Sequence, residues 1–373
     1  MRLATTLRIV TPLAVFNVQW LCETLAMDRL RRLKIVVCVA VAGLGCALPG
    51  AAVTAQDNRE DPAFKGYLQL LAARARSEGV SEATIQRMTS GLTPNPRVIA
   101  LDRSQPGADP GTPPPISGYI RTHVDPARIV GGRKILGELG SDAARIEAEY
   151  GVPTKIVLAI WGHETNYGRY KGDFDLARAL ATLAYEGRRR ALFSDEFVAV
   201  LKMADRGIPR ERLSGSWAGA LGNPQFLPSV YLRLARDGDG NGDIDIWHSR
   251  ADTLASIANY FRDAGWRPGE PWGVRATVPA GLDRSMLASR LRAPDCARVH
   301  VRHSQWRSVG EWRALGIEPQ AQIADTTLAA LFEPDGPNTG AYLITGNYRV
   351  ILQYNCSNYY ALSVGVLADA ISP

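Results

Sequence analysis

In the stretch AIWGHETNYGRY (Ala159 to Tyr170), His163-Glu164 begins the H-E-x-x-H pattern of zinc hydrolases. Tyr167 stands where the second histidine is required, and the chain holds only five histidines, so zinc hydrolysis fits poorly. A serine nucleophile fits no better. SGSWAG around Ser216 departs from G-x-S-x-G, and no strand pattern leads into it. A carboxylic acid remains. Glu164 follows the apolar run KIVLAI and precedes Asn166-Tyr167-Gly168, a sequence that stops a helix. A glutamate in that place is partly desolvated, which raises its pKa and lets it donate a proton near neutrality. Protonating a glycosidic oxygen requires that property. By itself the position suits a helix-end hydrogen-bond acceptor better, and only the neighbouring motifs shift that balance.

Two other stretches carry chemistry. GSWAGALGNPQFLPS (Gly215 to Ser229) is dense in small residues and ends with Gln225-Phe226. Such a segment lets backbone approach a ligand, with the Gln225 amide as a hydrogen-bonding group; a tight helix–helix crossing at Ala218, Gly219 and Ala220 is the structural alternative. DGDGNGDIDIWH (Asp237 to His248) starts as an EF-hand loop. Asp237, Asp239 and Asn241 hold positions one, three and five, Gly242 the sharp turn, Asp243 position seven and Ile244 the apolar position eight. His248 replaces the bidentate glutamate at twelve. The loop is either a structural calcium site or a solvated acidic turn.

Helices must position these residues. Apolar spacing of three and four runs through FKGYLQLLAARARSEG, and Ser81 is a good N-cap before EATIQRM. QPGADPGTPPPISG (Gln105 to Gly118) reads as an extended connection. Helical signals then run from Pro126 to about Ala264, with Gly151 ending one helix and Pro153 opening the next. VLAIWGHET places Glu164 in the last turn of a largely buried helix. Beyond Trp266 the texture changes. WGVRATVP, ARVHVRHSQW, GAYLITGNY and RVILQY are short, β-branched or alternating, and predict a small β-rich subregion. NYYALSVGVLADAI predicts a final helix.

Composition bounds the rest. The 46% hydrophobic and 21% charged fractions are those of a globular chain. The net charge of +6 is concentrated in the first 55 residues, where six Lys/Arg face Glu23 and Asp28. The remainder is nearly neutral, so no nucleic-acid partner is expected. MDRLRRLK followed by IVVCVAVAGLGCALPG reads as a signal peptide starting at Met27, with Val53 and Ala55 before the cleavage point and residues 1–26 as an upstream extension. A retained anchor or a lipid on Cys46 are the alternatives. Export to the periplasm or cell envelope would leave Cys296 and Cys356 in an oxidising compartment, where pairing is an option the spacing does not decide.

Glu164-Thr165-Asn166-Tyr167-Gly168, the GSWAGALGNPQFLPS block, DGDGNGDIDIW and IANYF follow one another in an order and spacing that resemble the B-type membrane-bound lytic transglycosylases of peptidoglycan, glycoside hydrolase family 103 of the lysozyme-like superfamily. The resemblance runs from about Phe64 to Ala370. It implies a mainly α fold with a goose-type-lysozyme-like catalytic core. On that reading 1–55 is leader, 56–118 an N-terminal helical region with the Pro/Gly connection, and 119–272 the core. A β-rich subregion follows over 273–353, and 354–373 is a helix packing back on the core. Glu164 matches the single catalytic acid/base. Ser216 and Gln225 match sugar-binding groups, and Tyr119, Arg188 and Arg189 match residues contacting glycan or peptide. Tyr354, Asn355 and Tyr360 match a cluster beside the acid. Leu192 stands at a position that is sometimes tyrosine in the family. Asp252 matches a carboxylate supplied to the calcium loop from further along, although Ser249-Arg-Ala-Asp252 is also a capping box.

The implied chemistry uses one acid where glycosidases pair two carboxylates. Asp173 and Asp175 lie nearby in sequence but match no catalytic position. Glu164 would protonate the glycosidic oxygen and then, as carboxylate, deprotonate the C6 hydroxyl of muramic acid, closing a 1,6-anhydro ring with help from the N-acetyl group. Tyr354 and Asn355 would orient that group. A hydrolytic muramidase and a non-catalytic glycan-binding module are the competing functions. No cofactor is expected for the chemistry. The expected partner is the glycan strand of peptidoglycan, acted on by a monomer, with association with other cell-wall enzymes left open.

Overall fold

The computed structural model describes residues 61–105, 114–289 and 296–372. The expected leader lies outside them, as do residues 106–113 of the Pro/Gly stretch. The fold is mainly α with one small antiparallel sheet, as expected. In chain order the helices are α1 (Pro62–Ser77), α2 (Glu82–Thr89), α3 (Pro96–Arg103), α4 (Ile116–His123), α5 (Pro126–Leu139), α6 (Ser141–Tyr150), α7 (Thr154–Thr165), α8 (Leu176–Glu186), α9 (Arg190–Asp205), α10 (Pro228–Leu234) and α11 (Arg250–Asp263). Four more follow: α12 (Ala297–His300), α13 (Val309–Ala314), α14 (Gly346–Tyr354) and α15 (Asn358–Ile371).

One device starts three of them. Asp61, Asn95 and Asp125 each accept first-turn N–H groups, and each precedes a proline whose φ is preset for the helix and whose missing N–H would have no helical partner. Ser81 caps α2 as the sequence predicts. Pro153 sits one residue earlier than expected, as the N-cap of α7 rather than its first residue.

Helices α1 to α3 do not build a core of their own. Phe64, Leu71 and Met88 share one with Leu180, Phe193 and Phe197 of α8 and α9. A second core joins α4 to α7 with α11, α14 and α15 around Ile156, Phe261, Tyr360 and Leu362. The two meet where α7 ends against the loop 213–226, whose Leu213, Trp217 and Leu221 belong to the first of these cores. That loop is held to the segment after α7 by the short pair β1 (Phe174–Asp175) and β2 (Ser214–Gly215).

The sheet contains β3 (Gly273–Thr277), β4 (Trp306–Ser308), β5 (Glu318–Pro319), β6 (Leu328–Phe332) and β7 (Ala341–Ile344) in the order β4-β6-β7-β3-β5, all antiparallel. Val274 and Leu331 both register with Leu343, and Trp312 of α13 is fully buried beneath. Two expectations need correction. RVILQY is helical, within α14, because Thr345 caps it and Val350, Ile351 and Leu352 are buried in the core, which overrides their β-branched preference. ARVHVRHSQW is strand only from Trp306; it begins as the helix α12. A disulfide joins Cys296, just before α12, to Cys356, between α14 and α15, with Cα atoms 5.7 Å apart.

Candidate active site

Helix α7 is buried along almost its whole length, because KIVLAIW presents apolar side chains in every direction. It ends in three successive left-handed residues, Asn166, Tyr167 and Gly168, with φ of 49°, 58° and 89°. The Tyr167 anchor offsets the cost of that turn. Its hydroxyl donates to Arg128 O at 2.7 Å, and its ring fills a slot between α5 and α7. A Cβ on Gly131, Gly132 or Gly162 would lie 2.9, 2.6 or 2.8 Å from Tyr167 atoms, so only glycine admits the ring. Thr165 donates to Asn223 O at 3.0 Å, and Asn223 in turn donates to Thr253 Oγ1 at 2.9 Å. The residue that breaks the zinc motif therefore anchors the turn that ends the helix carrying Glu164.

Glu164 is only 6% exposed, and its Oε1 accepts a hydrogen bond from the Tyr360 hydroxyl at 2.7 Å. Burial pushes its carboxyl up to about 7, against the opposing effect of that hydrogen bond. No carboxylate among the described residues acts on it, and Oε2 accepts no hydrogen bond from any of them. Asp175 is committed elsewhere, capping α8 through Arg178 N and pairing with Arg210.

Tyr360 stands in the first turn of α15, which Ser357 caps. Tyr354, at the end of α14, lies parallel to it with ring centroids 6.4 Å apart and donates to Pro224 O at 2.5 Å. Burial holds both phenols well above their ordinary range. Asn355 is buried between them in sequence, and its side-chain amide makes no hydrogen bond among the described residues. Sequence reasoning missed two neighbours. Tyr260, inside the quoted IANYF block, meets Tyr354 edge-on at 4.7 Å. His163 is a packed residue whose ring lies 5.7 Å from Tyr360; burial lowers its pKa to about 3, so the imidazole next to the acid is neutral.

Residues 214–226 make no helix crossing. They form a tight irregular turn, with bridges from Leu221 to Gly215 and to Phe226. Ser216 Oγ accepts Ala220 N at 3.0 Å, leaving its proton to donate. Gln225, itself left-handed at φ 51°, donates through Nε2 to Gly222 O and Lys171 O at 2.9 and 3.2 Å, leaving its carbonyl oxygen to accept. The structure thus gathers Glu164, Tyr360, Tyr354 and Asn355, with Gln225 and Ser216 on the adjoining turn.

The remaining residues singled out from the sequence lie around this group. Tyr119 of α4 stacks on His123 at 3.7 Å and meets Tyr359 edge-on at 5.6 Å. Arg188 and Arg189, between α8 and α9, both pair with the buried Asp102 carboxylate of α3. Leu192 packs into the core of α8 and α9.

In the acidic loop, carboxylate oxygens of Asp237, Asp239 and Asp252 all lie within 4.8 Å of one another. Asn241 Oδ1 accepts Asp243 N, and the Asp243 carboxylate turns to Arg212. The capping box forms only in half. Ser249 caps α11, but Asp252 directs its two oxygens to Gly238 N and Asp245 N across the loop. Three carboxylates this close repel one another unless a cation joins them. The all-oxygen donor set suits a hard divalent ion such as calcium.

Residues 63–369 match the family model described as "Transglycosylase SLT domain". Membrane-bound lytic murein transglycosylase B of Escherichia coli (strain K12) is 32% identical over 259 residues, 68% of this chain and 66% of that protein, just under two thirds of its length. SltB3 from Pseudomonas aeruginosa, solved in complex with NAG-anhNAM-pentapeptide, superposes with a TM-score of 0.74 at 36% identity, covering 83% of this chain and 79% of that one. The Escherichia coli lytic transglycosylase Slt35 in complex with calcium gives 0.66 at 28% identity, over 85% and 94%. With the domain match spanning most of its length, the chain belongs to the transglycosylase SLT family, on the branch of the B-type lytic transglycosylases.

Proposed function

We propose that this protein cleaves the β-1,4 bond between N-acetylmuramic acid and N-acetylglucosamine in peptidoglycan and leaves 1,6-anhydro-muramic ends, with Glu164 as its only acid and base. The observation that carries this is a glutamate only 6% exposed, hydrogen-bonded by Tyr360, on which no carboxylate among the described residues acts; burial pushes its pKa up to about 7. An acid poised there is protonated in a large fraction of molecules at neutral pH and exchanges its proton readily in both directions. The proton sits on Oε2, because Oε1 already accepts from Tyr360.

Oε2 gives its proton to the glycosidic oxygen as the bond to C1 of the muramic residue breaks. The acetamido oxygen of the same sugar supports the electron-poor C1, as the second carboxylate of a retaining glycosidase would. The Tyr360 hydrogen bond stabilises the carboxylate that results. That carboxylate takes the C6 hydroxyl proton, O6 bonds to C1, and the acid is restored without water. Asn355 has an unengaged amide suited to hold the acetamido group. Tyr354 contributes its ring, since its hydroxyl is bound to Pro224 O. Ser216 and Gln225 offer one donor and one acceptor to the neighbouring sugar. Tyr119, Arg188 and Arg189 are assigned to glycan and peptide further out. SltB3, solved with an anhydro-muramyl pentapeptide, supports this choice of substrate and product.

Asp237, Asp239 and Asp252 would hold a calcium ion that ties the loop to α11, a structural role away from the acid. The leader and the Cys296–Cys356 bond favour action in the cell envelope. The deciding experiment is mass spectrometry of murein digested by the wild-type protein and by Glu164→Gln. Anhydro-muramic ends from the wild type alone are expected. Reducing ends would instead make it a hydrolytic muramidase, and full cleavage by the variant would remove Glu164 from its role.

A further inference from the structure

We infer that Arg169 and Tyr170 form a recognition element of the site, in which the Tyr170 ring stacks on an N-acetylhexosamine of the glycan and the Arg169 guanidinium takes a carboxylate of the attached peptide. This rests on the peptidoglycan reading above and extends it to two residues that no motif singled out. Tyr170 is 53% exposed although it follows Glu164 by one short turn. It packs against no other ring among the described residues, so the fold does not call for an aromatic side chain there.

The backbone beneath it is firmly placed. Tyr170 N donates to Thr165 O at 3.0 Å, the residue next to the acid. Lys171 O accepts from Gln225 Nε2, and Lys171 Nζ donates to Trp247 O at 2.7 Å. At Gly172 the chain lies directly on the backbone before Ser216, where a Cβ would come within 2.3 Å of Gly215 O. Residues 170–172 therefore bridge the end of α7 and the Ser216–Gln225 turn, and Tyr170 is exposed on a rigid support between them. On this assignment a sugar held by Ser216 and Gln225 reaches the Tyr170 ring, because residues 171 and 172 contact that turn directly.

Chemistry selects the ligand. The Arg169 guanidinium lies 5.4 Å from the Tyr170 ring centroid, covers one face of the ring, and makes no ion pair among the described residues. An aromatic face presents large apolar area at little entropic cost, which suits the apolar face of a pyranose. An exposed guanidinium stacked on that ring is pre-organised to fork onto a carboxylate, and a peptide-bearing muramic glycan supplies one.

The test compares Tyr170→Ala, Tyr170→Trp and Arg169→Ala on intact murein and on glycan strands stripped of their peptides. Tyr170→Ala is expected to raise KM roughly 3- to 10-fold on both substrates with kcat within about twofold, and Tyr170→Trp to restore it. Arg169→Ala is expected to raise KM on intact murein alone. A second arm titrates N-acetylglucosamine tetrasaccharide into Glu164→Gln with and without Tyr170→Ala, and a similar fold-loss in affinity is expected. This arm reads binding without turnover, so it stands even if the cleavage reading fails. Unchanged affinity there overturns the Tyr170 assignment, and an Arg169→Ala effect equal on both substrates overturns the carboxylate assignment.

Discussion

Replacing Glu164 by glutamine should make the protein more stable, by a margin that grows as pH rises from 4.5 to about 7. In the unfolded chain the carboxyl titrates near its ordinary value of 4.5, whereas in the folded protein burial moves it to about 7. Below 4.5 both states hold the proton and the group contributes no pH dependence. Between 4.5 and 7 the unfolded chain releases the proton while the folded one keeps it, so stability falls as pH rises. Above about 7 the full penalty is in place. At about 1.4 kcal/mol per pH unit, the interval amounts to about 3 kcal/mol. Glutamine keeps the shape and the acceptor for Tyr360 without the charge. Urea unfolding of both proteins from pH 4.5 to 8 should show the variant gaining about 3 kcal/mol on the wild type across that range. Glu196 and Asp369, also raised by burial, titrate in both proteins and cancel in the difference. A difference flat to within about 0.5 kcal/mol across that range would show that Glu164 is not desolvated, and the acid assignment would lose its physical basis.

Other perturbations read neighbouring parts of the same machinery. Tyr360→Phe removes the hydrogen bond that lowers the Glu164 pKa, so the alkaline limb of the rate profile should move to higher pH while kcat falls roughly tenfold or more. Gly162→Ala places a Cβ 2.8 Å from the Tyr167 ring and should cost about 1–3 kcal/mol, measured by urea unfolding, with activity falling alongside as the acid shifts. Calcium at 100-fold over its dissociation constant should stabilise the fold by about 2.7 kcal/mol, seen as a higher Tm that Asp237→Asn abolishes. Reducing the Cys296–Cys356 bond, which spans 60 residues, should cost up to about 4 kcal/mol in unfolding experiments.

Much of the site was legible because it is local in the chain. The apolar run before Glu164 announced a buried helix, and the Asn-Tyr-Gly stop placed the acid in its last turn; the small-residue block left open a close backbone approach or a helix crossing, and the structure shows a tight turn. Ser81 before Glu82 marked a helix start for equally local reasons. The errors share a different cause. RVILQY looks like a strand until its burial against α15 and the second core is known, and the choice for Asp252 between capping box and loop carboxylate waits until the chain brings it across to Gly238 and Asp245.

By itself, then, the sequence determined which residues have the right chemistry and which helices carry them, since capping and periodicity act over a few residues. Tertiary structure decided the state of the acid. Glu164 meets Tyr360 across 196 residues of chain, and Tyr167 is locked by glycines on two helices. The proton affinity of Glu164 comes from the water those packed elements exclude, and desolvation is a property of everything around the carboxyl rather than of the residues beside it in the chain.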